Sequence, residues 1–266
     1  MTAQDEAQEY FLGMRRFRGL LGQGKPVVGA AVTFSDALIS DALADSVDFL
    51  WYDMEHAQMD PCALNFHLMA ARGKETASLV RVADVHPSTL KPVLDAGAEG
   101  IVVAQVHSVD EVKELVNNCV YPPEGVRGLG PRVPTNYGRF GGAQYVALAN
   151  EMVFTSVMIE TAEALDAIDE IVNVNRLDSI VIGPYDLSGA IGTFGEVDSP
   201  AVNDAIDRII AAARAAGVYV GMGMPVSPRF ASSMLARGVN WIQLGSDFEY
   251  MIQRVDAARK EIDGAS

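Results

Sequence analysis

Short, almost unbroken apolar runs recur along the chain, at 26–32, 47–52, 77–82, 100–106, 153–159, 179–183, 218–222 and 241–244, each followed by a helix-length stretch with apolar residues at helical spacing. A half-solvated strand alternates polar and apolar residues; runs apolar at successive positions predict strands buried on both faces. The stretches 35–46, 61–72, 88–96, 108–118, 162–174, 202–216, 227–237 and 248–262 predict the intervening helices, with Ser35, Ser88, Ser108 and Ser227 as N-caps. Strand and helix alternating eight times predict a (β/α)8 TIM barrel, taken as one domain over residues 1–266. The amphipathic segment 10–21 precedes the first strand and is expected to close the barrel bottom. The longest interval, between the fourth and fifth strands, contains Tyr121-Pro122-Pro123 and a glycine-rich stretch to Pro131, which predict irregular chain.

A formal charge of -15 over 266 residues, 49% of them hydrophobic, gives a large core and an acidic surface. Such a surface repels phosphate backbones and anionic membranes, which leaves small molecules as the expected partners. The two cysteines, Cys62 and Cys119, form no metal-knot spacing and are read as reduced and structural. The first nine residues are polar and acidic with no basic n-region, and no apolar stretch reaches bilayer length, so a cytoplasmic enzyme is expected.

Candidate chemistry collects where strands end. Glu160 and Asp186 each stand where an apolar run gives way to a polar turn, and on parallel barrel strands both would reach the C-terminal face. Such a pair suits Mg2+, Mn2+ or Co2+, with water and a chelating 2-keto acid completing the oxygen shell. Strand-end acids serve equally as caps and ion-pair partners, and Asp186 is placed to cap 187–190. After the second strand, Asp53-Met54-Glu55-His56 offers a side chain that titrates near neutrality, with Asp53 to orient it. His67, His86 and His107 lack acid neighbours in sequence and are read as structural. Arg81 lies inside the third apolar run, where a charge must be paired or aimed at an anion, as an enolate clamp or in an internal ion pair such as one to Glu160. No lysine is placed for a Schiff base, no G-x-S-x-G elbow occurs, and the glycines at 22–24 and 221–223 are read as turns.

The ordered set Glu55-His56-Ala57, Arg81, Tyr121-Pro122-Pro123 with Arg127-Gly128, Glu160, and Gly183-Pro184-Tyr185-Asp186-Leu187-Ser188 resembles the HpcH/HpaI aldolase family of class II pyruvate aldolases. The resemblance runs from about the first strand to the eighth. It implies Glu160 and Asp186 as ligands of a divalent metal, Arg81 as stabiliser of a pyruvate enolate, and His56 held by Asp53 as manager of the aldol hydroxyl proton. It also implies that the backbone around Gly183, Tyr185 and Asp186 receives the keto-acid carboxylate, and that the last helix is exchanged between subunits of a trimer or hexamer. The implied reaction cleaves a 4-hydroxy-2-keto acid to pyruvate and an aldehyde. Met158 stands where a polar Gln is common and Tyr185 where a small residue is usual, so both are candidate substrate-binding positions of altered character. Trp51 and Tyr52 suggest an apolar or aromatic acceptor. The rival readings are an oxaloacetate-type decarboxylase, a CoA-thioester lyase, and a non-catalytic keto-acid-binding protein.

Overall fold

The computed structural model describes residues 10–264; the acidic segment 1–9, read above for a targeting signal, lies outside them. Helix α1 (Leu12–Gly22) leads into β1 (Val27–Val32), α2 (Leu38–Ala44), β2 (Phe49–Asp53), α3 (Pro61–Gly73), β3 (Ala77–Val82), α4 (Pro87–Ala96), β4 (Gly100–Val103) and α5 (Val109–Cys119). There follow α6 (Gly142–Met152), β5 (Phe154–Ile159), α7 (Ala162–Asp166), α8 (Ile168–Ile171), β6 (Ser179–Ile182) and α9 (Pro184–Ala190). The chain continues through α10 (Pro200–Ala216), β7 (Tyr219–Met224), α11 (Pro228–Arg237), β8 (Trp241–Ser246) and α12 (Asp247–Gly264). The strands pair in parallel and in chain order, and β8 closes on β1, so the predicted barrel is present.

Both strand faces are buried, which explains the unbroken apolar runs. Outward-facing residues such as Leu50, Val80, Ile101, Val157, Ile180 and Ile242 pack beneath the helices. Inward-facing residues such as Phe49, Trp51, Leu79, Phe154, Met158 and Trp241 fill the barrel. Helix α1 plugs the bottom as expected, its Phe17 ring lying edge-on to Phe49 at 5.5 Å and to Phe154 at 5.2 Å. Gly221 and Gly223 are not turns but lie within β7. A Cβ on Gly221 would fall 2.2 Å from the Trp241 indole, so the barrel interior holds that ring only because β7 has no side chain there.

Helix starts partly follow the sequence reading. Ser108 caps α5, accepting from the Glu111 N–H at 3.3 Å. Ser35 and Ser88 do not cap: Asp36 accepts from the Leu38 N–H, and α4 already begins at Pro87. Ser227 occupies the N-cap of α11 without a side-chain bond. The working caps Asp60, Thr161 and Ser199 went unassigned, although Asp60 and Ser199 each precede a proline, a combination that marks a helix start. The predicted helix 162–174 is broken into α7 and α8, and α6 lies in the long interval between the fourth and fifth strands, past the stretch to Pro131 read as irregular.

Tyr121 to Pro131 lies beyond α5, at the barrel bottom. Arg127 there pairs with Asp95 at 2.9 Å and lies over the Tyr121 ring, away from the strand C-termini. Of α12 only Asp247 is buried, while Phe248, Met251, Ile252, Val255 and Ile262 are exposed. The buried Asp247 carboxylate accepts from the Thr33 N–H at 2.8 Å, the Phe34 N–H at 3.0 Å and the Thr33 hydroxyl at 2.6 Å, fastening the β1–α2 loop. Among the described residues no helix is long and apolar enough to cross a membrane.

Candidate active site

The strand C-termini bring together Asp53 from β2, Arg81 from β3 and Glu160, which directly follows β5. Gly183 follows β6 and leads into α9, which carries Tyr185 and Asp186 in its first turn. Each acid comes where an inward-facing strand position reaches the mouth, so apolar barrel filling gives way to charge at the top layer.

Arg81 is an anchored charge. Its Nε and a terminal nitrogen donate to the two oxygens of Asp53 at 3.1 and 2.7 Å, a bidentate arrangement. Its Nε also lies 3.2 Å from Glu55, whose buried Oε2 nevertheless makes no hydrogen bond. Burial works to raise the Asp53 carboxyl, but Arg81 and the N–H groups of His56 and Glu55 outweigh it and hold the group below the ordinary carboxylate range. The internal ion pair anticipated for Arg81 therefore exists, but with Asp53 and Glu55 rather than Glu160. Arg81 also lies 5.8 Å from the Trp51 ring centroid.

Asp53 does not hold the His56 imidazole. It accepts the His56 backbone N–H at 3.2 Å, and the ring, on a side chain 64% exposed, lies 3.7 Å from Glu55. A one-residue-apart view of Asp53, Glu55 and His56 could not reveal this, because Arg81 on the next strand takes both Asp53 oxygens. Glu55, which the sequence reading left without a role, is the acid nearest the imidazole. Of the remaining histidines, His67 is buried against Ser40, whereas His86 and His107 do have acid neighbours, Glu114 at 3.8 Å and Glu163 at 3.6 Å.

Glu160 is the most perturbed acid of the mouth. It is 4% exposed and accepts the Gln105 N–H at 2.8 Å. Gln105 adopts φ 49°, a left-handed conformation that turns this N–H toward the carboxylate. Burial, followed by the negative charges of Asp186 and Glu55, pushes the Glu160 carboxyl up to about 7 despite that bond and Arg81. Acids clustered at this strain are what a bound cation would relieve. A Cβ on Gly183 would meet Glu160 Oε2 at 2.4 Å and the Met158 methyl at 3.2 Å, so only a glycine there lets the carboxylate lie against the backbone. Carboxylate oxygens are hard donors suited to Mg2+ or Mn2+. Among the described residues no three His, Cys, Asp or Glu side chains converge as a metal cage.

The other candidates divide. Met158 is buried in the barrel, while Tyr185 is 51% exposed on the rim. Trp51 faces the barrel interior and Tyr52 the helix layer, where its hydroxyl donates to the His67 carbonyl, so Tyr52 contributes no bulk to the mouth.

Comparison with known proteins shows what the chain as a whole is similar to. A family profile described as HpcH/HpaI aldolase/citrate lyase matches residues 31–253. The hydroxypyruvate/pyruvate aldolase of Roseovarius nubinhibens is 34% identical over 76% of this chain and 80% of its own. The 4-hydroxy-2-oxovalerate aldolase of Rhodococcus jostii is 31% identical over 91% of this chain and 93% of its own. The crystal structure of an HpcH/HpaI aldolase from Desulfitobacterium hafniense superposes with a TM-score of 0.87 at 28% identity, over 92% of this chain and 95% of that one.

Proposed function

The chain belongs to the HpcH/HpaI aldolase/citrate lyase family and is a carbon–carbon lyase, and we propose that it cleaves and forms 4-hydroxy-2-keto acids by way of a pyruvate enolate. The observation that carries this reading is that one barrel mouth holds the buried Glu160, which feels the negative charge of the exposed Asp186, and an Arg81 anchored by Asp53.

Glu160 and Asp186 would hold a divalent cation, Mg2+, Mn2+ or Co2+, which supplies Lewis-acid polarisation of the keto oxygen when bound. Arg81 offers a fixed positive charge to the oxygen that becomes anionic as the C3–C4 bond breaks. Its bonds to Asp53 mean that it need not reorganise as that charge develops. The N–H groups of Tyr185 and Asp186, in the first turn of α9, have no carbonyl a turn earlier to bond and suit the substrate carboxylate. Met158 supplies the apolar floor under the pyruvate carbons. His56, exposed at the mouth beside Glu55, takes the proton of the C4 hydroxyl on cleavage and returns it on addition. The exposed apolar face of α12 supports a homo-oligomer, a trimer or hexamer, with this helix packed on a neighbouring copy.

Pyruvate release from a panel of 4-hydroxy-2-keto acids tests the reading. Release should stop after chelation with EDTA and return with Mg2+, Mn2+ or Co2+. Turnover that survives exhaustive chelation would remove the metal assignment, and a panel yielding no pyruvate would remove the aldolase.

A further inference from the structure

A polar side chain stands in the barrel interior outside the cluster described above. On β8 the inward-facing positions are Trp241, Gln243 and Gly245, and Gln243 is 9% exposed. A buried amide is costly unless both its ends find partners. The Gln243 Nε2 donates to the Gly245 carbonyl at 2.5 Å, and because a carbonyl only accepts, this bond fixes which end is nitrogen. No described residue donates to Oε1, which lies beside Gly223.

The strand register says what Oε1 faces. Gln243 pairs with Gly223 across β7 and β8. Gly223 follows Met222, the partner of Ile182, and so falls opposite Gly183; Gly183 follows Ile182, the partner of Ile159, and so falls opposite Glu160. Glu160, Gly183, Gly223 and Gln243 therefore form one inward-facing line across β5 to β8, about 14 Å along the sheet at ~4.8 Å per strand. Its two middle members have no side chains. A Cβ on Gly183 would strike Glu160 Oε2 at 2.4 Å, and one on Gly223 would lie 3.1 Å from Gln243 Oε1. The two glycines thus let the Glu160 carboxylate and the Gln243 amide oxygen lie against the backbone, and no other side chain stands between them on this line.

Resting on the aldolase reading, we propose that Gln243 determines acceptor specificity: its Oε1 accepts a hydrogen bond from a hydroxyl of the acceptor aldehyde. A keto acid held by its carboxylate and keto oxygen at Glu160 and Gly183 would send its distal carbons along this line toward Gln243. The amide oxygen at that end can be satisfied only by a donor, so an alkyl tail would leave it desolvated and unpaired. The substrates are then 4-hydroxy-2-keto acids bearing a further hydroxyl beyond C4, made from hydroxylated aldehydes. The apolar or aromatic acceptor suggested by Trp51 and Tyr52 is replaced by this class.

The test is the ratio of kcat/KM for pyruvate addition to glycolaldehyde over that to acetaldehyde, in wild type, Gln243→Leu and Gln243→Glu. Wild type should favour glycolaldehyde by about tenfold, the discrimination of one neutral hydrogen bond. Gln243→Leu should erase that ratio chiefly through KM for glycolaldehyde, and Gln243→Glu, which keeps an acceptor oxygen, should retain it. Equal loss on both aldehydes, or an unchanged ratio in Gln243→Leu, would mean that the amide only fills space. Should Gln243→Leu fail to fold, the wild-type ratio and its retention in Gln243→Glu decide the matter. Exchange of the C3 protons of pyruvate into deuterium oxide separates the two readings. Wild-type exchange without a preference between the aldehydes overturns the role of Gln243 alone, and absence of both exchange and addition overturns the aldolase with it.

Discussion

Arg81 depends on Asp53 as much as the proposed chemistry depends on Arg81. Replacing it with Leu is expected to lower turnover by roughly 10²- to 10³-fold, as for a lost oxyanion donor. It also strands the buried Asp53 and Glu55 charges, a loss on the order of 3–5 kcal/mol that urea unfolding would read. The double variant Asp53→Leu/Arg81→Leu should recover part of that stability, Glu55 staying unpaired, and none of the turnover, which separates the two roles. The identity of these residues was legible in sequence, because a charge inside an apolar run or at its end is conspicuous. Their partners were not, since Asp53 meets Arg81 only through the β2–β3 register, and the bond from Gln105 to Glu160 rests on a left-handed φ that no residue type there announces.

At the scale of elements, the strands were readable because burial on both faces writes itself as continuous apolar sequence. Helix ends were less so: Asp60 and Ser199 cap α3 and α10 from just before Pro61 and Pro200, and nothing in the residues marks the break at Ala167. The glycines of β7 misled for a physical reason, as a glycine facing an indole has the same letter as a glycine in a turn. Gly221→Ala should therefore destabilise the barrel by about 1–3 kcal/mol through overpacking against Trp241, whereas the same change at exposed Gly22 in α1, with open space around it, should not; denaturant midpoints of the two variants compare them. For α12, the paired change Ile252→Asp and Val255→Asp puts charge on its exposed apolar face. Light scattering after size exclusion should then report a smaller assembly, and an unchanged mass would exclude this face from the interface.

For the whole molecule, the barrel bottom carries a half-buried acid with a defined pH signature. Glu99 accepts the Ser78 N–H at 3.3 Å, and burial pushes its carboxyl up to about 7 from 4.5. A carboxyl raised on folding binds its proton more tightly in the folded state. Its contribution is complete below about pH 4.5 and is lost as pH rises through about 7. Glu99→Gln should flatten stability across that window, and identical wild-type and variant curves would show that Glu99 is not the group responsible.

The carboxylate of Asp247 reaches further than its position suggests. It roots the final helix, and the same two oxygens arrest Thr33 and Phe34 at the lip of the mouth. An α12 packed on a neighbouring copy, as proposed, would thereby join quaternary state to catalytic competence, and specific activity should then decline on dilution in step with subunit loss. Activity per subunit that stays level down to the lone protomer would cut that tie.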